Sequence, residues 1–501
     1  MSNDVNIEVI QQILNEEVDF FTDKLNEGQI YVEYPLPTGA RCFAPVKDGR
    51  FESFLSHRYR ALTDEPLCPP EVFDFLEAKK DDVLYEQTNA VTIHRRVTGT
   101  LSNRILYFLA DEERQSVLIT PSEWKVGRSK SVKFLKSNAD MAQVMPEGGG
   151  NLLSLLRPFV NLPKDDFILF TAFLVQSFSR SSSHYAAIVS SNKGTGKSTL
   201  TKMMRSLIDP SATDVPLTPS SENDLKTVLS NTYLAAFDNT ASLSAKFSDI
   251  LCAAITGTKD AKRKLYSNCD QVILSLHNLV VINGIDIVPR RSDLADRSLL
   301  FELCPIPPSA RKTDDAFWSA FKAKKQQMLG AIFDTLVSAM NVLPTLHFSG
   351  YARMADAYRE MTAIAVALGV EQEKFERIFM QNRERLQEAY NQSSELLDLI
   401  IEFMRTRRNV DMPASALYKE LKSKIAGSDR FFPDSPSALS RKLNLEKDAL
   451  AAAGYDFSKK RVGDFNHLVI QKIPQNQQTK AQIESQQRKA LLADDDASAE
   501  E

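Results

Sequence analysis

Ser191-Asn192-Lys193-Gly194-Thr195-Gly196-Lys197-Ser198-Thr199 (SNKGTGKST, 191–199) decides the fold of this chain. A loop that cradles phosphates needs glycines, so that backbone N–H groups can crowd round the oxygens. It also needs a lysine for the β and γ phosphates and a hydroxyl for Mg²⁺. Gly194, Gly196, Lys197 and Ser198 fill those roles, and the nine residues together are the candidate loop for ATP. Tyr185–Val189 before the loop reads as a buried strand. Leu200, Met203, Met204 and Leu207 after it recur at i, i+3, i+4 and i+7, so a helix follows, with its N-terminus aimed at the phosphates. Ser191 stands where the usual G-x-x-x-x-G-K-[ST] pattern has its first glycine, and the bland reading is a Gly/Ser turn.

Working outward, YLAAFDN at 233–239 ends an apolar strand in Asp238, placed to hold the Mg²⁺ water shell at the end of a neighbouring strand. Asn239 follows where many ATPases carry a glutamate base; an amide can orient water but cannot usefully accept its proton. Without the upstream loop, Asp-Asn is only a turn. NLVVING then ends a strand in Asn283, which could hold the attacking water, and a short polar helix leads to Arg297, which could reach a neighbouring subunit's nucleotide. Taken alone, Asn-Gly is a turn and Arg297 a surface residue. With QVILSL (271–276) and SLLFEL (298–303), the apolar runs spell an α/β segment with a parallel-type sheet.

The order of these motifs resembles the AAA+ ATPases of the superfamily 3 helicase branch, and more closely the helicase part of phage and mobile-element primase-helicases, in which FDN, NGI and DLxDR recur in this order. The resemblance runs from about residue 90 to 380, through LRPFVNLPKDDF, SNKGTGKSTL, FDNTASL, SDILCAAITGTKDAKRKLYS, VVINGI and RRSDLADRSL. It implies ATP and Mg²⁺ as cofactors, Lys197 and Ser198 on the nucleotide, Asp238 on the metal, Asn283 as first sensor and Arg297 as a finger acting in trans. Arg353 is a poorer candidate for a second sensor. It also implies a homo-oligomeric ring, a hexamer in its usual form, and a pore hairpin at TGTKDAKRKLYSNCD. There Lys262, Arg263 and Lys264 would track the phosphates of single-stranded DNA; the alternative is a solvated charge run.

The flanks divide the 501 residues further. Residues 1–88 read as an α+β region, with extended pieces at 30–34 and 42–46 and helices at 51–59 and 70–79. In 89–146, VTIHRRV, RILYFLA, QSVLIT and VKFLK suggest a small antiparallel β unit, with Trp124 in its core. EGGGN (147–151) reads as a flexible joint. The AAA+ core is assigned to 147–310, a helical lid to 311–394, a winged-helix-like domain to 395–473 and a disordered tail to 474–501. The 395–473 segment holds 14 Lys and Arg against 11 Asp and Glu, whereas the whole chain carries a net charge of −4. Ser435 and Pro436 open a helix that would carry Arg441 and Lys442 to duplex DNA; a protein-docking domain is the alternative.

With 43% apolar and 25% charged residues, the chain has the composition of an ordinary soluble protein. Its five cysteines show no C-x-x-C spacing, which argues against zinc and disulfides and fits a reducing cytoplasm. The run FILFTAFLVQ from Phe167 is too short to span a bilayer, so no membrane contact is expected. The expectation is a Mg-ATP-dependent, ring-forming DNA helicase, or a helicase-like replication ATPase, of a phage or mobile element that works with replication proteins. The first 85 residues are too short for a primase-polymerase domain and show no paired metal carboxylates with a histidine, so no priming activity is expected. The alternatives are an ATPase that remodels protein, for instance in phage defence, and an initiator that ATP only switches.

Overall fold

The structure is a computed structural model that describes residues 6–25, 29–67, 69–86, 89–181, 183–191, 194–219, 221–240, 243, 245–257, 259–263, 271–284, 292–392, 395–425, 432–462 and 465–473. The tail assigned to 474–501 lies outside them. The fold is mixed α/β with parallel strands, in two compact units, Met1–Arg383 and Glu384–Glu501.

At the centre of the first unit is a four-stranded, wholly parallel sheet. Its order is Leu234–Phe237, Leu279–Gly284, Ala186–Ser190, Ser298–Glu302. Every residue of the first three strands is buried, as in sheets covered on both faces, which is why these segments read as continuous apolar runs. The helix Lys164–Gln176 belongs to the same core: Asp166–Gln176 is buried throughout, so its apolar run is interior. The edge strand Ser298–Glu302 is covered by the helix Gln372–Gln392. There the Asn382 side chain accepts from Leu300 N at 3.0 Å and donates to Leu300 O at 2.6 Å, standing in for a further strand.

QVILSL departs from the expectation. Gln271–Ser275 does not enter the parallel sheet but pairs antiparallel with Lys259–Arg263, in register Lys262↔Val272 and Arg263↔Gln271. An apolar run of this length does not reveal which partner it pairs with. The two strands are inserted between the helix Ala245–Thr256 and the strand Leu279–Gly284.

The N-terminal sheet runs Arg41–Pro45, Ile30–Pro35, Asp19–Asp23, Ala90–Val91, with helices Ile7–Glu17, Gly49–Thr63 and Pro69–Glu86. Its fourth strand comes from beyond residue 88. Next, Val97–Gly99, Ile105–Phe108, Ser116–Ile119 and Trp124–Gly127 form an antiparallel meander. VKFLK does not join it: Lys133–Phe134 pairs parallel with Ile93–His94. Trp124 is half-buried at the margin of the core rather than inside its own unit: it packs against Phe333 and donates to Asp334 Oδ1 at 2.8 Å, both on the helix Asp314–Val342. The buried pair Arg96–Asp209 (2.8 Å) ties this unit to the helix that follows the phosphate loop.

EGGGN is no flexible joint. Glu147 N donates to Gln326 O at 3.0 Å and Gly149 N to Asp334 Oδ2 at 3.0 Å, laying the segment along the helix Asp314–Val342. A Cβ on Gly330 would lie 2.0 Å from Glu147 O and one on Gly150 2.7 Å from Leu155 Cδ1, so these two glycines serve close approach, while Gly149 takes a left-handed turn at φ +90°. The span Asp314–Thr345 is long and apolar enough to cross a membrane, but 61% of its apolar window is buried within the fold, against the helices Leu152–Leu156 and Ala355–Ala367.

The second unit has a three-stranded antiparallel sheet, ordered Asn409–Pro413, Phe465–Lys472, Tyr455–Val462, with helices Glu395–Met404, Ala414–Lys422, Pro436–Leu445 and Lys447–Ala452. Its own core includes Ile400, Phe403, Leu417, Leu421, Leu439, Leu443, Phe457 and Ile470.

Candidate functional site

The loop after Ala186–Ser190 turns sharply through Gly194 (φ +78°) and Gly196 (φ +89°), left-handed conformations that strain any residue with a Cβ. Gly196 is the N-cap of the helix Lys197–Ile208 and offers no side-chain cap, so backbone N–H groups of the first turn keep the positive helix end open to an anion. Lys197 Nζ donates to Ser191 O at 2.7 Å, bending back over the loop, and the Ser191 and Thr195 hydroxyls hydrogen-bond each other. The expected nucleotide contacts Asn192 and Lys193 lie outside the described residues. Thr199 is in the first turn of the helix.

Asp238 follows the edge strand Leu234–Phe237, and Ser198 Oγ donates to its Oδ1 at 3.0 Å. The sequence placed Asp238 on a strand next to the loop strand; instead the Asn283 strand lies between the two. Two strand spacings separate them by about 10 Å, a gap that Ser198, projecting from the helix start, closes. Register puts Asn283 opposite Val189 on one side, and on the other side one residue beyond the Phe237–Ile282 pair, level with Asp238.

The Asn283 side chain is 1% exposed and engaged at both ends. Its Oδ1 accepts from Asn239 N at 3.0 Å and its Nδ2 donates to Thr201 Oγ1 at 2.8 Å; Thr201 in turn donates to Lys197 O at 3.1 Å. Asn239, at φ +49°, holds a turn conformation that asparagine tolerates. Asn283 O takes the N–H of Thr240, whose hydroxyl meets that of Thr218 at 2.8 Å. Asn283 thus binds the loop helix to the Asp238–Asn239 turn. Thr201 gave no signal in sequence, where it is one polar position of an amphipathic helix.

Arg297 lies at the other end of the sheet. Its carbonyl accepts from Ala186 N at 2.8 Å, at the start of the loop strand, about 13 Å below Ser190 and beyond the reach of one side chain. Its guanidinium pairs with Asp293 and is half-buried, and its Nε is buried with no hydrogen-bond partner among the described residues. Arg353 is bound at the same end, to Asp293 at 2.7 Å and Asp296 at 3.2 Å, so the structure does not bring it to the loop; Arg383 also meets Asp296. Burial works to raise the Asp293 carboxyl, but the Arg297 hydrogen bond and charge, with Arg353, outweigh it and hold Asp293 below the usual carboxylate range.

Of the expected DNA contacts, Lys262 and Arg263 lie on the strand Lys259–Arg263, and Lys264 lies outside the described residues. In the second unit Ser435 Oγ caps its helix by accepting from Ala438 N at 3.2 Å. Leu439 and Leu443 face the core, Arg441 is exposed and Lys442 is half-buried. Lys460, on the strand Tyr455–Val462, pairs with Asp411, which His467 Nδ1 also meets at 2.9 Å.

Residues 152–380 match the family model described as actinomycete integrative conjugative element replication protein. The search of curated proteins returns no match. Among solved structures, the apo A form of the NrS-1 C-terminal region is 11% identical over 93% of this chain and 98% of its own, with a TM-score of 0.38. A second apo structure of that region is 11% identical over 94% and 100%, with a TM-score of 0.37. JCV helicase, bound to a thiazolopyridinyl-phenoxy acetamide, is 14% identical over 49% and 62%, with a TM-score of 0.25.

Proposed function

We propose that the chain is a replication ATPase of a mobile element: a ring-forming, AAA+-type helicase that couples Mg-ATP hydrolysis to movement on DNA. The observation that carries this reading is the convergence of Lys197, Ser198 and Asp238 at one end of a parallel sheet, with Ser198 Oγ 3.0 Å from the Asp238 carboxylate. A hydroxyl and a carboxylate at that separation can share a Mg²⁺ shell, while the lysine and the helix start hold the phosphates. Arg297, too far from the loop of its own subunit, would serve the nucleotide of a neighbour in a head-to-tail assembly such as a ring. The family match over 152–380 supports replication as the setting. The second unit supports DNA contact: its helices and sheet follow the order of a winged helix, with exposed Arg441 on the helix that such domains place in the major groove.

The test is ATP hydrolysis and strand separation measured with single-stranded and duplex DNA, against Lys197→Ala. DNA-stimulated hydrolysis with unwinding is the expected result. Duplex binding without unwinding would make the chain an initiator switched by ATP, and hydrolysis indifferent to DNA would make it a remodeller of protein.

A further inference from the structure

After the edge strand Ser298–Glu302 the chain does not leave the phosphate loop but crosses it. Leu303 N donates to Ser190 O at 3.1 Å, and Cys304 exchanges two hydrogen bonds with Asn161, at 3.0 and 2.6 Å. Pro305, Pro307 and Pro308 then restrict the backbone, and a short 3-10 turn, Pro308–Ala310, redirects it. At the far end Thr313 Oγ1 caps the helix Asp314–Val342 by accepting from Ala316 N at 3.3 Å. The segment is therefore a strap held at both ends. Between its anchors it passes close to the two loop glycines. Ile306 Cδ1 lies 3.8 Å from where a Cβ on Gly196 would be, and Arg311 Nη2 lies 4.0 Å from where a Cβ on Gly194 would be.

We infer that Arg311 is a phosphate-contacting residue of the nucleotide site in its own subunit, held over the loop by the proline-rich strap. The inference rests on the nucleotide-site reading above. Arg311 is exposed, and among the described residues no carboxylate pairs with it. Lys197 approaches the loop from within the fold as a point charge; Arg311 approaches from the strap with a planar fork that matches two phosphate oxygens. Because the strap and the loop belong to one subunit, this contact needs no ring. Because it is made to bound nucleotide rather than to charge developing in a transition state, it acts on ADP and ATP alike. Both properties separate it from Arg297.

The experiment is titration of the full chain with Mg-ADP and with Mg-ATP, for wild type, Arg311→Ala, Arg311→Lys, Lys312→Ala and Lys197→Ala, each checked for an unchanged melting temperature without nucleotide. Arg311→Ala should weaken both nucleotides about ten-fold, which corresponds to about 1.4 kcal/mol. Arg311→Lys should recover part of the loss, and Lys312→Ala, the adjacent exposed cation, should bind as wild type does. Arg311→Ala within about two-fold of wild type, while Lys197→Ala loses binding, overturns the Arg311 assignment and leaves the site standing. Equal weakening by Lys312→Ala also overturns it, since general surface charge would then account for the effect. Wild-type protein that binds neither nucleotide overturns the site reading and the Arg311 assignment together.

Discussion

Asn283 donates its side-chain amide to Thr201 Oγ1 at 2.8 Å, and that one hydrogen bond fastens the helix behind the phosphate loop to the strand that ends beside Asp238. The other end of the amide holds Asn239 N. Asn283→Ala would leave a buried hydroxyl and a turn N–H without this partner, at a cost of about 1–3 kcal/mol. It should lower both the melting temperature and ATP turnover. Thr201→Val removes the hydroxyl that accepts from Asn283 and donates to Lys197 O but leaves the Asn239 turn held, so it should lower turnover less. Unchanged melting temperature and turnover in Asn283→Ala would show that the bridge positions nothing.

Lys197→Ala should reduce Mg-ATP hydrolysis to background while the fold is kept. The lysine amine hydrogen-bonds Ser191 O within the loop, so its loss would remove the proposed phosphate contact and little packing. Hydrolysis at the wild-type rate would remove Lys197 from the site.

If Arg297 is the finger of a neighbour's site, as proposed, Arg297→Ala and Arg297→Lys should both bind nucleotide but lose turnover, because such a finger acts on charge that develops only in the transition state. About 13 Å of sheet separates Arg297 from its own loop. Mixed rings of Arg297→Lys and Lys197→Ala chains should therefore regain activity, since some interfaces would pair an intact loop with an intact finger. No rescue at any mixing ratio, with rings confirmed by mass, would place its action elsewhere.

Glu360 gives a pH signature. Burial pushes its carboxyl up to about 7, against hydrogen bonds from Gln176, Ser179 and Leu101 N that favour the charged form. Between the ordinary glutamate range and pH 7 the folded protein holds a proton that the unfolded chain has lost, so raising the pH through that window lowers stability, and the full cost is present above it. His94 and His277, pushed down to about 4 by burial, and His184, also pushed down by burial, act oppositely: stability falls as the pH drops below about 6.5. Stability should peak near neutrality. Glu360→Gln should stabilise relative to wild type at pH 8, by about 1–3 kcal/mol, and much less at pH 5. Urea midpoints at the two pH values test this; a mutational effect independent of pH would mean Glu360 is not protonated in the fold.

Local pattern carried far in this chain. The loop glycines, the helix period after Lys197, the Ser435 cap and the buried strands ending near Ser190, Asp238 and Asn283 were all legible, because each is a few residues obeying one rule of backbone or burial. Pairing was not. Nothing in QVILSL distinguishes a strand of the central sheet from one leg of an antiparallel insertion, and VKFLK carries no mark of its parallel partner at Ile93–His94. The glycines of EGGGN signal permissive backbone, and only Gly330, nearly two hundred residues away, reveals that the permission serves close packing. Thr201 and Arg311 escaped for the same reason: each matters through a neighbour distant in sequence.

The two basic regions should divide the DNA contacts between them. Lys262 and Arg263 lie on an antiparallel insertion that springs from the end of the sheet opposite the phosphate loop. Thr256 ends the helix before it, and Asn278 N, just after it, donates to Ala254 O. Arg441 is on the capped helix of the separate second unit. If the first set, with Lys264, lines a channel that exists only in the ring, its contribution should require ATP and assembly; Arg441 and Lys442 should bind duplex without ATP. Each phosphate contact removed should flatten the salt dependence of binding by about 0.9 on duplex and about 0.7 on single strands. Replacing Lys262, Arg263 and Lys264 with alanine should weaken ATP-dependent single-strand binding and stop unwinding, with ATP-independent duplex affinity little changed. Replacing Arg441 and Lys442 should do the reverse. Equal losses of the same activity from both replacements, with and without ATP, would make the two regions one continuous basic face.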